Sequence, residues 1–333
     1  MITVSPERRE IRTAIHKGEF WKPCPGTSDD YLCCGYQILT PMTGCGMYCC
    51  YCVLQVYFDN QYQTVFENLC DLEAEVRRKM ESCPDFQKHV VRIGTGEFGD
   101  SLFLENKLGL SKKIADILDR YDNVLVEFKT KSVNVSTLDQ IKNPRKAVIG
   151  FSMNTERMVN QLERGTAPVI ERLKAARRCA DMGFSVAFHF DPIVWYDGWE
   201  GEYRSAVSMI YDFIDDPRKI AWCSMGGFRC MPSLKSALRG AGMDLPLFAG
   251  EMITGADGKL RYPRTLRVDF YRVMDDQFKR HHNNAPLYLC MESREVWEEC
   301  GMYGRLLSIP GIYNENDALA RFLDARAESI LYT

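Results

Sequence analysis

Short apolar runs rich in Val, Ile and Phe recur along the first two thirds of the chain, at residues 35–39, 90–94, 124–128, 148–152, 185–190 and 220–224. Their length and β-branched content predict strands. Between them, apolar residues fall at three- and four-residue spacing over 65–81, 112–120, 169–182 and 203–214, which predicts amphipathic helices. Strand–helix alternation of this kind implies a parallel α/β sheet. About six units fit between residues 35 and 240, short of the eight of a closed barrel, so the expected fold is a partial (β/α)6 TIM-type barrel. Residues 1–34 precede it as a cysteine-containing segment. Residues 241–333 change character: 251–268 are rich in Gly, Pro and Arg and read as a hairpin, opening a C-terminal α+β lobe.

Alternation within the strands assigns their faces. Val186, Phe188 and Phe190 oppose Ala187, His189 and Asp191, and Ile149, Phe151 and Met153 oppose Gly150, Ser152 and Asn154. Val124, Val126 and Phe128 likewise oppose Glu127, Lys129 and Lys131. If the apolar faces pack on helices, then Arg92, Glu127, Lys131, Ser152, Asn154, His189 and Asp191 line a common polar interior. Such a lumen points to a site at the C-terminal strand ends. Structural ion pairs, such as Arg92 with Glu127, are the alternative use of these charges.

Composition narrows the function. An apolar fraction of 46% and a charged fraction of 26% over 333 residues exclude disordered and fibrous classes. No apolar run is long enough to span a membrane, and the polar first twenty residues lack a secretory signal, so a cytoplasmic protein is expected. In that compartment 14 cysteines are not a disulfide framework, and some should bind metal or do chemistry. Cys45, Cys49 and Cys52 form Cys-x3-Cys-x2-Cys in the loop after the first barrel strand. Three closely spaced thiolates suit three irons of a [4Fe–4S] cluster and leave the fourth iron open. Zinc is the rival, with Cys50 or the upstream Cys24, Cys33 and Cys34 as a fourth ligand. That upstream trio could hold a second metal or simply pack in the core.

The motif resembles that of the radical S-adenosylmethionine (radical SAM) superfamily. Gly94-Thr95-Gly96-Glu97 stands where those enzymes carry a Gly-Gly-Glu-like segment that contacts the SAM amine. More closely, the chain resembles the spore photoproduct lyase family, through the loop from Thr43 to Gln55, Phe151-Ser152-Met153-Asn154, Gly165-Thr166-Ala167-Pro168 and Gly198-Trp199-Glu200-Gly201-Glu202-Tyr203-Arg204. These segments span residues 43–240. The resemblance implies a radical SAM partial barrel, a cluster on Cys45, Cys49 and Cys52, and SAM held by Gly94, Gly96, Glu97, Lys131, Ser152, Asn154 and Asp191. It implies a lyase that repairs a thymine lesion in DNA, fed by a flavodoxin- or ferredoxin-like electron donor, with a monomer favoured.

Two positions depart from that family. Glu97 stands where its repair enzymes have a hydrogen-donating cysteine, and Val53 where they have a tyrosine, although Tyr51 is kept. Neither a carboxylate nor an isopropyl group donates a hydrogen atom as a thiol or phenol does. Cys223 and Cys230 are the candidate replacement donors. A different radical SAM substrate, such as a modified nucleotide, peptide or small metabolite, is the alternative reading. Outside catalysis, the alternative is a zinc-pinned structural or interaction protein. The most basic stretch, with Arg261, Arg264, Arg267 and Tyr271, is the expected DNA contact.

Overall fold

The computed structural model describes residues 10–57, 62–243, 245–248, 250–307 and 318–332. Its centre is an eight-stranded sheet whose strands follow one another in chain order: β1 (Trp21–Pro23), β2 (Gln37–Leu39), β3 (Val91–Gly94), β4 (Val124–Thr130), β5 (Ala147–Ser152), β6 (Ser185–Ile193), β7 (Ile220–Gly227) and β8 (Leu287–Leu289). β1 is antiparallel to β2, and every other neighbouring pair is parallel. The edge strands β1 and β8 do not pair with each other, so the sheet is a curled half-barrel rather than a closed one. All six expected strands are present. β8 was not anticipated; it comes from the C-terminal segment, as β1 comes from the N-terminal one.

Helices α1 (Leu69–Ser82), α2 (Leu110–Leu118), α3 (Val169–Asp181) and α4 (Trp199–Phe213) cross between strands, as the periodicity predicts. Their register differs in one place. Residues 65 and 66, expected to begin a helix, end a strand (Tyr62–Phe66) that pairs with Glu10–Ala14 and with Met42–Thr43. The β-branched and aromatic run prefers the extended form, and only from Leu69 does helical spacing take over. Gly198, at φ +85°, turns the chain into α4, whose first turn carries Glu200 and Glu202 where the helix dipole favours negative charge. The expected hairpin pairs Ile253–Thr254 with Leu260–Arg261, and the latter also pairs with Arg229–Cys230. Helix α5 (Arg264–His281) follows at once, and α6 (Ala318–Tyr332) ends the chain. Among the described residues no helix is long and apolar enough to cross a membrane.

The alternation sorts the two faces of the sheet as read from sequence. Phe151, Phe188 and Phe190 are fully buried in one continuous apolar core with Leu173 and Ala176 of α3 and Val207 and Ile210 of α4. The other face is polar. Between the two, α3 sends one charged residue inward: Arg172 has no solvent exposure. Its guanidinium pairs with Glu163 at 2.5 Å and donates to the carbonyls of Ser152 and Ala167, each at 2.8 Å, and to Thr166 Oγ1 at 2.8 Å. One side chain therefore ties the end of β5 to the turn before α3. Removing one partner of such a pair leaves an uncompensated buried charge. Arg172→Leu is expected to cost roughly 3–5 kcal/mol of stability in equilibrium urea unfolding; a loss below about 1 kcal/mol, the scale of an exposed pair, would show that the network is not structural.

Candidate functional site

The loop after β2 is shaped by glycines. Gly44 sits at φ +81°, and a Cβ there would stand 2.4 Å from the Tyr62 carbonyl oxygen. At Gly46 a Cβ would collide with the Phe103 ring at 2.1 Å. Tyr48–Cys49 then pairs antiparallel with Glu163–Arg164, and Cys50 N donates to the Leu162 carbonyl at 2.8 Å. Met47 N donates to Cys45 Sγ at 3.4 Å, and Cys52 N to the Cys49 carbonyl at 3.0 Å. This backbone turns Cys45, Cys49 and Cys52 onto one wall of a cavity of about 520 Å³ at the C-terminal strand ends. Cys50 does not line it. Burial, with Asp100 adding, pushes the Cys45 thiol up to about 12, and burial also raises Cys49; Lys131 opposes both.

Lys131, just past β4, is the cation of that wall. Its backbone N–H donates to Asp100 Oδ2 at 2.7 Å, while Thr130 Oγ1 donates to Asp100 Oδ1 at 2.6 Å. Its Nζ lies 5.8 Å from the Tyr51 ring centroid, and the Tyr51 hydroxyl donates to Glu163. Burial would discharge Lys131, but nearby acidic groups, Glu163 foremost, outweigh it and raise its pKa. Burial would also neutralise Glu163, but Arg172 and Lys131 outweigh it and lower its pKa. Both groups stay ionised. The arrangement places a fixed ammonium beside three thiols, which suits thiolate and carboxylate ligands alike.

The remaining sequence-derived positions divide into those at the cavity and those away from it. Gly96, Glu97, Ser152, Asp191 and Cys230 line the cavity. Asp191 is gripped by Arg229, with both carboxylate oxygens 3.0 Å from guanidinium nitrogens. Gly94 makes room rather than contact: a Cβ there would sit 1.9 Å from the Tyr36 hydroxyl. Asn154 is a correction. β5 ends at Ser152, the alternation lapses, and the fully buried Asn154 instead bonds the Pro192 carbonyl at 3.1 Å, Thr155 N at 2.9 Å and the Tyr203 hydroxyl at 2.7 Å. Cys223 is another: it shares the core face with Ala221 and Met225, and its neighbour Ser224 faces the cavity. Arg92 also leaves the lumen set, because its guanidinium goes to Asp324 at 3.0 Å and to the Cys34 carbonyl.

The expected basic DNA contact is corrected more broadly. Arg261 is buried, 2.7 Å from Asp257 and stacked 4.6 Å from the Tyr31 ring centroid. Arg267 is buried at 2.9 Å from Glu292, which also accepts from the Tyr271 hydroxyl at 2.6 Å. These three side chains hold the lobe together. Of the four residues Arg264 alone is exposed, paired at 3.3 Å with Glu299, while Arg272, Lys279 and Arg280 further along α5 are exposed too.

Several cavity residues escaped the sequence reading. Tyr288 and Cys290, at the end of β8, and Arg229 line it, together with the upstream Cys24, Cys33 and Cys34 that the sequence reading leaves between a second metal and core packing. A three-residue strand gives little period-2 signal, which is why β8 and Cys290 were missed. Hydrogen bonds from the Cys34 thiol, Thr27 and Gly35 N lower Cys33 to about 5 against its burial. Burial, with Glu97 adding, raises Cys24 to about 12.

The cavity floor is a relay of buried groups. His189 Nε2 lies 2.6 Å from Glu127 Oε1, His189 Nδ1 lies 2.7 Å from Ser224 Oγ, and Tyr36 donates to Glu127 Oε2 at 2.7 Å. Burial and Lys129 hold His189 below its ordinary 6.5, although Glu127 and Asp191 pull the other way. Burial would raise Glu127, but His189 and Tyr36 outweigh it and lower its pKa. At neutral pH the imidazole is therefore uncharged, with Nε2–H donating to the Glu127 carboxylate and Nδ1 accepting from Ser224. Below pH 6.5 the unfolded chain gains a proton at this histidine that the folded chain refuses, so stability is fully present above that pH and falls with acidification. The melting temperature should drop between pH 7 and pH 5, and His189→Gln should flatten that slope; an unchanged slope in the variant would contradict the assignment.

Residues 33–221 match a family model described as spore photoproduct lyase. A spore photoproduct lyase of a Geobacillus species is 31% identical over 163 residues, 48% of this chain and 47% of that protein. The Bacillus subtilis spore photoproduct lyase is 27% identical over 164 residues, 49% of this chain and 47% of that one. The aligned stretch thus spans about half the length of the curated relatives. Among solved structures, a mutant spore photoproduct lyase with bound AdoMet and dinucleoside spore photoproduct superposes with a TM-score of 0.72, 20% identity, 84% coverage of this chain and 81% of that one. At that identity the superposition speaks for the fold alone, an open partial barrel.

Proposed function

This chain belongs to the spore photoproduct lyase family, and on that premise we propose that it is a radical SAM enzyme whose leading substrate is a thymine-dimer lesion in DNA. The observation that carries the reading is the wall on which Cys45, Cys49 and Cys52 face one cavity beside a half-buried, charged Lys131, with Cys50 outside it. The donor set fits a [4Fe–4S] cluster with one iron left for SAM. When bound, the cluster supplies the electron that splits SAM into methionine and a hydrogen-abstracting 5′-deoxyadenosyl radical.

The protein's part is to bind and orient. Lys131 offers its ammonium to the SAM carboxylate, and Glu97 accepts from the SAM amine beside Gly96. Ser152 and the Arg229-held Asp191 line the same cavity and would hold the rest of SAM. Tyr51 acts on the loop: its bond to Glu163 fixes the backbone between the second and third cysteines. The flanking segments 1–34 and 241–333 supply Cys24, Lys259 and Cys290 to the cavity wall, and so close a barrel unit of residues 35–240 against water. Reducing equivalents come from a flavodoxin- or ferredoxin-like partner, in a cytoplasm shared with the DNA. Cys230 faces the cavity and is the hydrogen donor this reading assigns in place of position 97.

Reconstituted protein given SAM, a reductant and irradiated DNA should release 5′-deoxyadenosine and restored thymine, and Cys45→Ala should abolish both. Cys230→Ala should keep SAM cleavage but alter the product distribution; an unchanged distribution removes Cys230 as donor. A second reading, a radical SAM enzyme acting on another substrate, rests on Glu97 and Val53, which line the cavity and cannot donate a hydrogen atom. SAM cleavage without repair would select it. Zinc without sulfide in the anaerobically purified protein would defeat both.

A further inference from the structure

Cys24, Cys33, Cys34 and Cys290 have no chemical role in that reading, yet they line the same cavity as Cys45, Cys49 and Cys52. Three come from the segment before β2, and Cys290 follows β8 directly. Cys24 lies within electrostatic reach of Cys33 and Cys290, and Cys34 within reach of Cys24, Cys33 and Cys290. None is in a disulfide.

The local geometry repeats that of the first loop. Gly26 N donates to Cys24 Sγ at 3.4 Å, and Gly35 N donates to Cys33 Sγ at 3.4 Å. Each bond runs from the residue two places on, as Met47 N does to Cys45 Sγ, also at 3.4 Å. Arg229 Nη2 donates to Cys290 Sγ at 3.4 Å, and Thr27 Oγ1 stands 3.3 Å from Cys33 Sγ. Hydrogen bonds to sulfur of this kind stabilise thiolates and tune thiolate-bound iron.

Four thiols match the four irons of a cubane cluster. Among the described residues no three ligating side chains converge tightly enough for a single metal ion, here or around Cys45, Cys49 and Cys52. A cluster is wider, since bridging sulfides separate its irons and each iron takes its own thiolate. Adjacent Cys33 and Cys34 then serve neighbouring irons rather than one.

We propose that Cys24, Cys33, Cys34 and Cys290 bind a second [4Fe–4S] cluster on the same cavity as the Cys45, Cys49 and Cys52 set. With four cysteines on four irons it has no open position for SAM, and its chemistry is one-electron transfer. The proposal stands independently of what the first site does with SAM.

Iron and acid-labile sulfide analysis of the anaerobically reconstituted chain tests it. The wild type should hold about eight iron and eight sulfide per chain, four from each cluster. Cys45→Ala/Cys49→Ala/Cys52→Ala and, separately, Cys24→Ser/Cys290→Ser should each halve the iron. About four irons in the wild type, all lost with the first variant, would overturn the proposal. Zinc bound at the second set in place of iron would overturn it as well. Because the wild-type count decides first, a variant that misfolds does not leave the question open.

Discussion

The fully buried pairing of Arg172 with Glu163 is the interaction on which the rest of the site depends. Glu163 sits in the two-residue strand that pairs with Tyr48–Cys49, and it accepts the Tyr51 hydroxyl. Arg172 fastens that strand to α3 and to the carbonyl of Ser152 at the end of β5. The cysteine loop has little regular structure of its own, so its placement over the sheet is borrowed from this pair. A buried charge pair is an expensive way to fix a backbone, and apolar packing would hold a loop at lower cost. What packing would not supply is a carboxylate that helps keep Lys131 charged next to three thiols.

The same logic runs through the cavity. Its walls carry carboxyl groups held by partners inside the protein: Asp191 by Arg229, Glu127 by His189 and Tyr36, Asp100 by Thr130 and the Lys131 backbone. Fixed partners let a site hold charge by preorganised dipoles and ions rather than by reorganising solvent. The two ends of the chain complete the enclosure, through the cysteine segment before β2 and the short β8 with Cys290 after it.

Much of this was legible in the sequence because it is local. The cysteine spacing, the glycine turn at Gly94 and Gly96, and the period-2 faces of β4, β5 and β6 each lie within a few consecutive residues. Cys223 was legible too: continuing the alternation from Ser224, which pairs in register with His189, puts Cys223 on the core side. The misses involve distant partners. Arg261 and Arg267 read as a basic surface until Asp257 and Glu292 fold against them, and Asn154 reads as lumenal until β5 stops at Ser152. β8 is too short to announce itself, and its pairing with β7 depends on a chain that returns after some sixty residues.

The central claim is that Cys45, Cys49 and Cys52 hold a cluster with one iron open to SAM. Electron paramagnetic resonance of the dithionite-reduced protein, recorded before and after adding SAM, tests it most directly. The account predicts a reduced [4Fe–4S] signal whose g-values shift when SAM is added, and loss of the SAM-sensitive component in Cys49→Ala. A signal indifferent to SAM, or the same shift in Cys49→Ala, would contradict it.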